Sequence, residues 1–356
     1  MKIGIVTITS GTNYGNRLQI YALQQVLTHL GHEPFLIENR SYAHGMVYQI
    51  KKFLKIMMGY HNEREEYKRE ISYKQFENDW LSISKYTFDE EYLKSNIANH
   101  FDAFICGSDQ VWNPHFPHLN GGCFADFPGA RLRISYAASF GESSIPDYMI
   151  DNFKSWLRGM SAISVRENSG VDIVKGITGK NVCVHIDPTL MLDADDWTRL
   201  EKVPDIEPTK PYIFKYFLGE VTPKVSNFID GVAKRNNYEI IDVLPDKRQK
   251  NYYLNPSHFL YLIHNANIVI TDSFHATVFA LLYNKPVRVF DRQDKKLDMT
   301  TRLDTLIQLF KCGEVRNNFS INDLEHIVSV DKAVLCEKRQ DAYKYLADSL
   351  DSRGKK

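Results

Sequence analysis

The sequence predicts an α/β protein of two doubly wound domains, each a parallel sheet covered by helices. Short β-branched runs such as Ile268, Val269 and Ile270 recur along the chain, and uninterrupted runs of this kind belong to strands buried on both faces. Amphipathic stretches of helical period separate them, so strand and helix alternate as in βαβ units. The 356 residues also exceed the length, about 250–300, at which a single core stops growing.

Taken in order, Lys2–Thr9 reads as a strand, SGTNYGNR as a polar loop, and about Asn16 to Leu30 as a helix with Leu18, Ala22, Leu23, Val26 and Leu27 on one face. Gly31 stops that helix and Glu33–Glu38 is the second strand. From about 41 to 100 a basic, apolar stretch (KKFLKIMMGY), a charged one (HNEREEYKRE) and spaced aromatics predict a helical insertion in the first domain. Strands follow at Phe101–Cys106, in ISYAASF, at Ala162–Val165 and at Val182–Ile186, with a helix over about 146–158 and a helix cap at Asp193. The first domain is expected to span 1–200, and the Pro- and charge-rich stretch Glu201–Pro211 reads as the linker. The second, over 201–335, repeats the alternation: strands at Tyr212–Leu218, Tyr238–Leu244, 268–270 and 287–290, and helices to about Asn236, over His258–Asn265 and over Thr301–Phe310. A helix from Ile321 to Ser352 is expected, its part within 336–356 packing back on the first domain.

Lysine plus arginine equals aspartate plus glutamate at 44 each, which leaves no global field for nucleic acid. The five cysteines are widely spaced with no CxxC pair, and three lie beside apolar strand patterns, as reduced core residues of a cytosolic protein do. The N-terminus opens directly on a strand pattern, and no apolar run approaches the ~18 residues of a membrane span. Lys51, Lys52, Lys55, Met57 and Met58 could form a basic, apolar patch against a lipid surface, although such patches more often face a protein core.

Ligands of doubly wound sheets bind outside the carboxyl ends of strands, so the polar residues there are the functional candidates. Asp272, Ser273, Phe274 and His275 stand where a strand gives way to a helix whose first N–H groups can meet an anion, and His275 is the leading catalytic candidate. The strand ending at Cys106 runs into GSDQVWNP, where Asp109 can accept a proton from an attacking hydroxyl, bond a sugar, or cap the next turn. Arg166 follows the strand at Val165, positioned to hold a phosphate or carboxylate or to pair with a neighbouring acid. Gly11, Gly15 and Asn16 open the first helix, but neither GxGxxG nor a Walker lysine is present.

GTNYGNRLQIYAL at Gly11–Leu23, ICGSDQVWNP at Ile105–Pro114, ISVRENS at Ile163–Ser169, HIDPTLML at His185–Leu192 and TDSFHATVFAL at Thr271–Leu281 together resemble the polysaccharide pyruvyl transferase family. The resemblance implies two Rossmann-like domains facing across a cleft (GT-B-like), and transfer from phosphoenolpyruvate to a sugar of a cell-envelope or capsular polysaccharide precursor, giving a pyruvate ketal and phosphate. It makes His275 the catalytic histidine, with Asp109 as a second candidate, and Arg166 a donor-holding arginine. Ser273, Phe274 and Arg302 complete the expected donor side; Asn13, Tyr14, Asn16, Asp109, Gln110 and Trp112 form the expected acceptor side.

Several members carry arginine two positions before the histidine, where this chain has Ser273. Arg302 is the first substitute for that charge, followed by Arg133, Lys215 and Lys285. Phosphoenolpyruvate is the co-substrate, with no other cofactor and no metal expected. A glycan or lipid-linked acceptor and a cytoplasmic location, at the inner membrane face, complete the expectation. The alternatives are a GT-B glycosyltransferase using a nucleotide sugar and a non-catalytic glycan-binding protein.

Overall fold

The computed structural model describes residues 1–42, 46–205, 207–244, 253–292, 301–321, 324, 327–328 and 330–351. The chain runs β1 (Lys2–Val6), α1 (Tyr14–His29), β2 (Glu33–Asn39), α2 (Met46–Met57), α3 (His61–Trp80), β3 (Ile83–Phe88), β4 (Ala103–Cys106), β5 (Arg133–Ser135), α4 (Ile150–Arg158), β6 (Ser164–Val165), α5 (Asn168–Thr178) and β7 (Cys183–Val184). It continues with α6 (Ala194–Thr198), β8 (Tyr212–Tyr216), α7 (Pro223–Asn236), β9 (Glu239–Asp242), α8 (Pro256–His264), β10 (Ile268–Thr271), α9 (Phe274–Leu282), β11 (Val287–Val289), α10 (Thr301–Phe310) and α11 (Lys332–Asp351). Two compact units result, Met1–Gly45 with Glu77–Met191 and Ala333–Lys356, and Met46–Phe76 with Leu192–Lys332.

In the first unit five strands pair in the order β3-β2-β1-β4-β5, all parallel. Parallel bridges at Ile134–Ala162 and Ala138–Val165 carry the sheet on to the β6-β7 pair. Strand order reverses between β1 and β4, and their carboxyl ends deliver Thr7 and the Gly107–Asp109 turn to that switch point. Beyond β4 the core is aromatic: Trp112 stacks on Phe124 with centroids 4.9 Å apart, and Phe153 meets Phe124 edge-on at 5.4 Å.

The second unit holds a four-stranded parallel sheet in the order β11-β10-β8-β9. Its reversal lies between β8 and β10. The crossover helices start where the sequence supplies caps: Thr222 Oγ1 accepts from Val225 N before Pro223 opens α7, and Asn255 caps α8 with His258 returning the bond.

Three expectations need correction. The helical insertion does not run to residue 100, because Ile83–Phe88 is an edge strand paired with β2; its two helices, moreover, group as Met46–Phe76 with the second unit. The last helix begins at Lys332 rather than Ile321. ISYAASF is strand only as far as Ser135, after which Ala137 adopts a left-handed φ of 48°. The C-terminal helix α11 groups with the first unit, where Arg339 Nε donates to Leu190 O at 2.7 Å and Tyr345 OH to Ser135 O at 2.8 Å. Cys106, Cys123 and Cys312 are buried free thiols, whereas Cys183 and Cys336 are exposed.

His185 lies against Tyr136 and Tyr345, at 6.0 and 4.6 Å between ring centroids. Burial pushes its imidazole down to about 4 from 6.5, with Asp341 opposing and Lys338 assisting. The unfolded chain therefore binds a proton in that interval that the folded chain refuses. This contribution to stability is complete above pH 6.5 and is lost as pH falls towards 4, by at most about 3 kcal/mol. Urea unfolding of His185→Phe should accordingly show a shallower loss of stability across this window than the parent; equal slopes would remove His185 from the account.

Candidate active site

At the switch point of the first unit, Gly107 adopts φ +117°, and a Cβ there would stand 2.4 Å from Tyr136 O. Only glycine lets the chain leave β4 so close to the next strand. The exit delivers Ser108 and then Asp109, itself left-handed at φ 62°. Asp109 Oδ1 accepts from Gln110 N at 2.9 Å and lies 3.6 Å from Arg166 Nη2, while Oδ2 faces Asn16 Nδ2 at 3.4 Å. Capping and site geometry are thus combined in one side chain.

Arg166 is enclosed, and Nη1 meets Asp187 Oδ2 at 2.5 Å. Burial alone would lower its pKa, but Asp187, Asp109 and Glu167 outweigh it and raise the value, so the guanidinium stays charged. Asp187 also accepts from Ser108 Oγ at 2.9 Å and from Thr189 N and Oγ1 at 3.0 and 2.7 Å. Asp187 and Asp109 thus both lie against the guanidinium expected to hold the donor. Glu167 turns away to accept from Ser139 Oγ and Phe140 N at 2.9 and 2.8 Å.

The expected acceptor residues divide. Asn16, Asp109 and Gln110 converge at the switch point. Asn13 caps α1 by accepting from Asn16 N at 3.1 Å. Tyr14 and Trp112 are both 0% exposed, and Trp112 Nε1 donates to Cys123 O, so both support the loops from within the core instead of presenting a face to a sugar.

In the second unit, β10 ends at Thr271, whose Oγ1 donates to Tyr216 O at 2.6 Å and accepts from Ser273 N at 3.0 Å. Ser273 caps α9 through Ala276 N at 3.4 Å. Two of the four N–H groups that the sequence offered to an anion, those of Ser273 and Ala276, are therefore engaged within the turn. Phe274 meets the His275 ring edge-on at 5.2 Å, and His275 is 6% exposed.

Asp272 binds the neighbouring loops, accepting from Leu218 N and Gly219 N, both at 2.8 Å, and from Arg292 Nε at 3.3 Å. Arg292 follows β11, the strand beside β10, so its guanidinium reaches the carboxyl edge of the sheet next to the histidine turn. Sequence reasoning missed it; the signal was the pair Asp291–Arg292 directly after a buried strand.

The substitutes first considered fare differently. Arg133 is held by Asp126 at 2.5 Å and Lys215 by Asp242 at 2.7 Å. Lys285 precedes β11, at the amino end of the strand, and burial lowers its pKa. Arg302 is buried at the start of α10.

The family described as polysaccharide pyruvyl transferase matches residues 13–294, most of the chain and all the turns described above. The chain belongs to the polysaccharide pyruvyl transferase family. No curated protein sequence matches it. Among solved structures it is similar to UDP-GlcNAc 2-epimerase from Neisseria meningitidis bound to UDP-GlcNAc, at 10% identity and TM-score 0.52 over 99% of this chain and 100% of the other. UDP-GlcNAc 2-epimerase from Methanocaldococcus jannaschii in complex with UDP-GlcNAc and UDP is comparable, at 11% identity and TM-score 0.52 over 99% and 100%. At such identity the likeness shows the fold alone, and that fold is the expected GT-B-like α/β class.

Two substitutions in this family member test the first-unit geometry. Gly107→Ala should cost about 2–4 kcal/mol in urea unfolding, because the residue is strained in φ as well as in contact. Asp187→Ala should cost about 3–5 kcal/mol by leaving the Arg166 charge enclosed with reduced compensation. Near-parental midpoints would show that the turn relaxes and that water reaches the guanidinium.

Proposed function

We propose that the chain transfers the enolpyruvyl-derived unit of phosphoenolpyruvate onto two hydroxyls of a sugar in a cell-envelope or capsular polysaccharide precursor, forming a pyruvate ketal and releasing phosphate. Family membership supports the reaction class. The observation that carries the donor assignment is a histidine in the first turn of α9, at the strand-order reversal, with a guanidinium fixed beside that turn through Asp272. Arg292 is anchored by Nε alone, and among the described residues its Nη1 and Nη2 meet no carboxylate. That fork suits a phosphate or carboxylate oxygen pair, and it supplies the charge missing at Ser273.

The chemistry removes two protons, one from each sugar hydroxyl, and delivers two, one to C3 and one to the departing phosphate. A proton added to C3 of the enol turns the methylene into a methyl and leaves C2 electrophilic. One sugar hydroxyl adds to C2 and loses its proton; the C2–O bond to phosphate then breaks, and the second hydroxyl closes the ketal, losing its own. Imidazole gives and takes protons under physiological conditions, which suits His275 for these transfers. Asp109, with Asn16 and Gln110 around it, is proposed to orient acceptor hydroxyls.

Incubation with phosphoenolpyruvate and acceptor should release phosphate and form a ketal visible by mass spectrometry. His275→Ala should reduce the rate by about 10²–10⁴-fold with an unchanged circular dichroism spectrum. Arg292→Ala should raise the KM for phosphoenolpyruvate by about 10–100-fold, and Arg292→Lys should restore only part, since an ammonium cannot reproduce the fork. Tight calorimetric binding of a uridine or guanosine diphosphate sugar, with none of phosphoenolpyruvate, would overturn the reading in favour of a glycosyltransferase.

A further inference from the structure

Helix α2 is built the reverse of an ordinary surface helix. Among its described side chains, those of residues 50–57, the buried one is a lysine: Lys52 is 7% exposed and donates to Glu70 of α3 at 2.6 Å. Ile50, Phe53, Leu54 and Met57 fall on one stripe at helical spacing and are between 52% and 70% exposed. Met58 and Tyr60, at the turn closing the helix, extend the apolar surface at 67% and 57%. A stripe directed at a core would be covered, and this one faces solvent.

We infer that this face docks on an anionic lipid surface. Charge selects that occupant: Met46–Met57 contains Lys51, Lys52 and Lys55 and no acidic residue. Lys55 pairs with Glu63 at 2.7 Å, whereas exposed Lys51 meets no carboxylate among the described residues. A second copy would bring exposed Lys51 and half-exposed Lys55 together across a two-fold axis with no acid on the helix to oppose them, while lipid phosphates complement them. Among the described residues no helix is long and apolar enough to cross a membrane, so the contact is interfacial. Apolar side chains enter the headgroup boundary and lysines remain at its level. Docking does not depend on the reaction proposed above, and it would hold the chain where lipid-linked acceptors reside.

Co-sedimentation of the full chain tests this with vesicles of phosphatidylcholine and phosphatidylglycerol (3:1) against pure phosphatidylcholine. Binding should favour the anionic vesicles by ~10-fold or more and weaken with salt. Phe53→Ser combined with Met57→Ser should reduce it by ~10-fold or more, and Lys51→Glu by ~5-fold or more; both sites are exposed, so the fold is retained. Absent or equal binding to both vesicle types would overturn the inference. So would a concentration-dependent dimer, seen in sedimentation velocity, that the double variant dissolves.

Discussion

A parallel sheet leaves its loops with main-chain donors at the carboxyl edge that no strand partner can satisfy, and in each unit a buried carboxylate answers that constraint. Asp272 accepts from Leu218 N and Gly219 N and so fastens the exit of β8 to the exit of β10. In the first unit Glu167 accepts from Phe140 N and Gly141 N, while Asp187 gathers the Ser108 hydroxyl, Thr189 and Arg166 around the β4 exit. Asp272 and Asp187 each bring a guanidinium with them. The charged residues at the strand ends are thus first a solution to backbone burial, and the geometry available to a substrate follows from that solution.

The two arginines nevertheless end in different electrostatic states. Arg166 has two carboxylates within 3.6 Å and a third acid raising its pKa, so its charge is consumed inside the protein. Arg292 meets one acid among the described residues, Asp272, through Nε at 3.3 Å. A motif position and an available charge are separate properties, and here the available one follows β11.

Much of this was legible in the amino-acid order because strands buried on both faces read as uninterrupted β-branched runs, as at Ile268–Thr271, and because the cap at Asp193 announces its helix locally. β3 was hidden because ISKYTF is an edge strand with polar residues among its apolar ones, set directly after a charged helix. The Arg166–Asp187 pair spans 21 positions, and neither residue type predicts its partner. Trp112 drew attention by standing three residues after Asp109, yet its indole is enclosed in the aromatic core while Asp109 meets Asn16 and Arg166 at the switch point. The exposed face of α2 was visible as composition, but its direction depended on Lys52 finding Glu70.

The packing of α11 bears on biosynthesis. Its bonds to Leu190 and Ser135 link residues 149 and 210 positions apart, so the first unit cannot close until residues 333–351 have left the ribosome. The second unit needs residues up to Lys332 and so is completed only shortly before. Nascent chains should carry the amino-terminal sheet without its α11 cover until that segment emerges, open meanwhile to holdase chaperones.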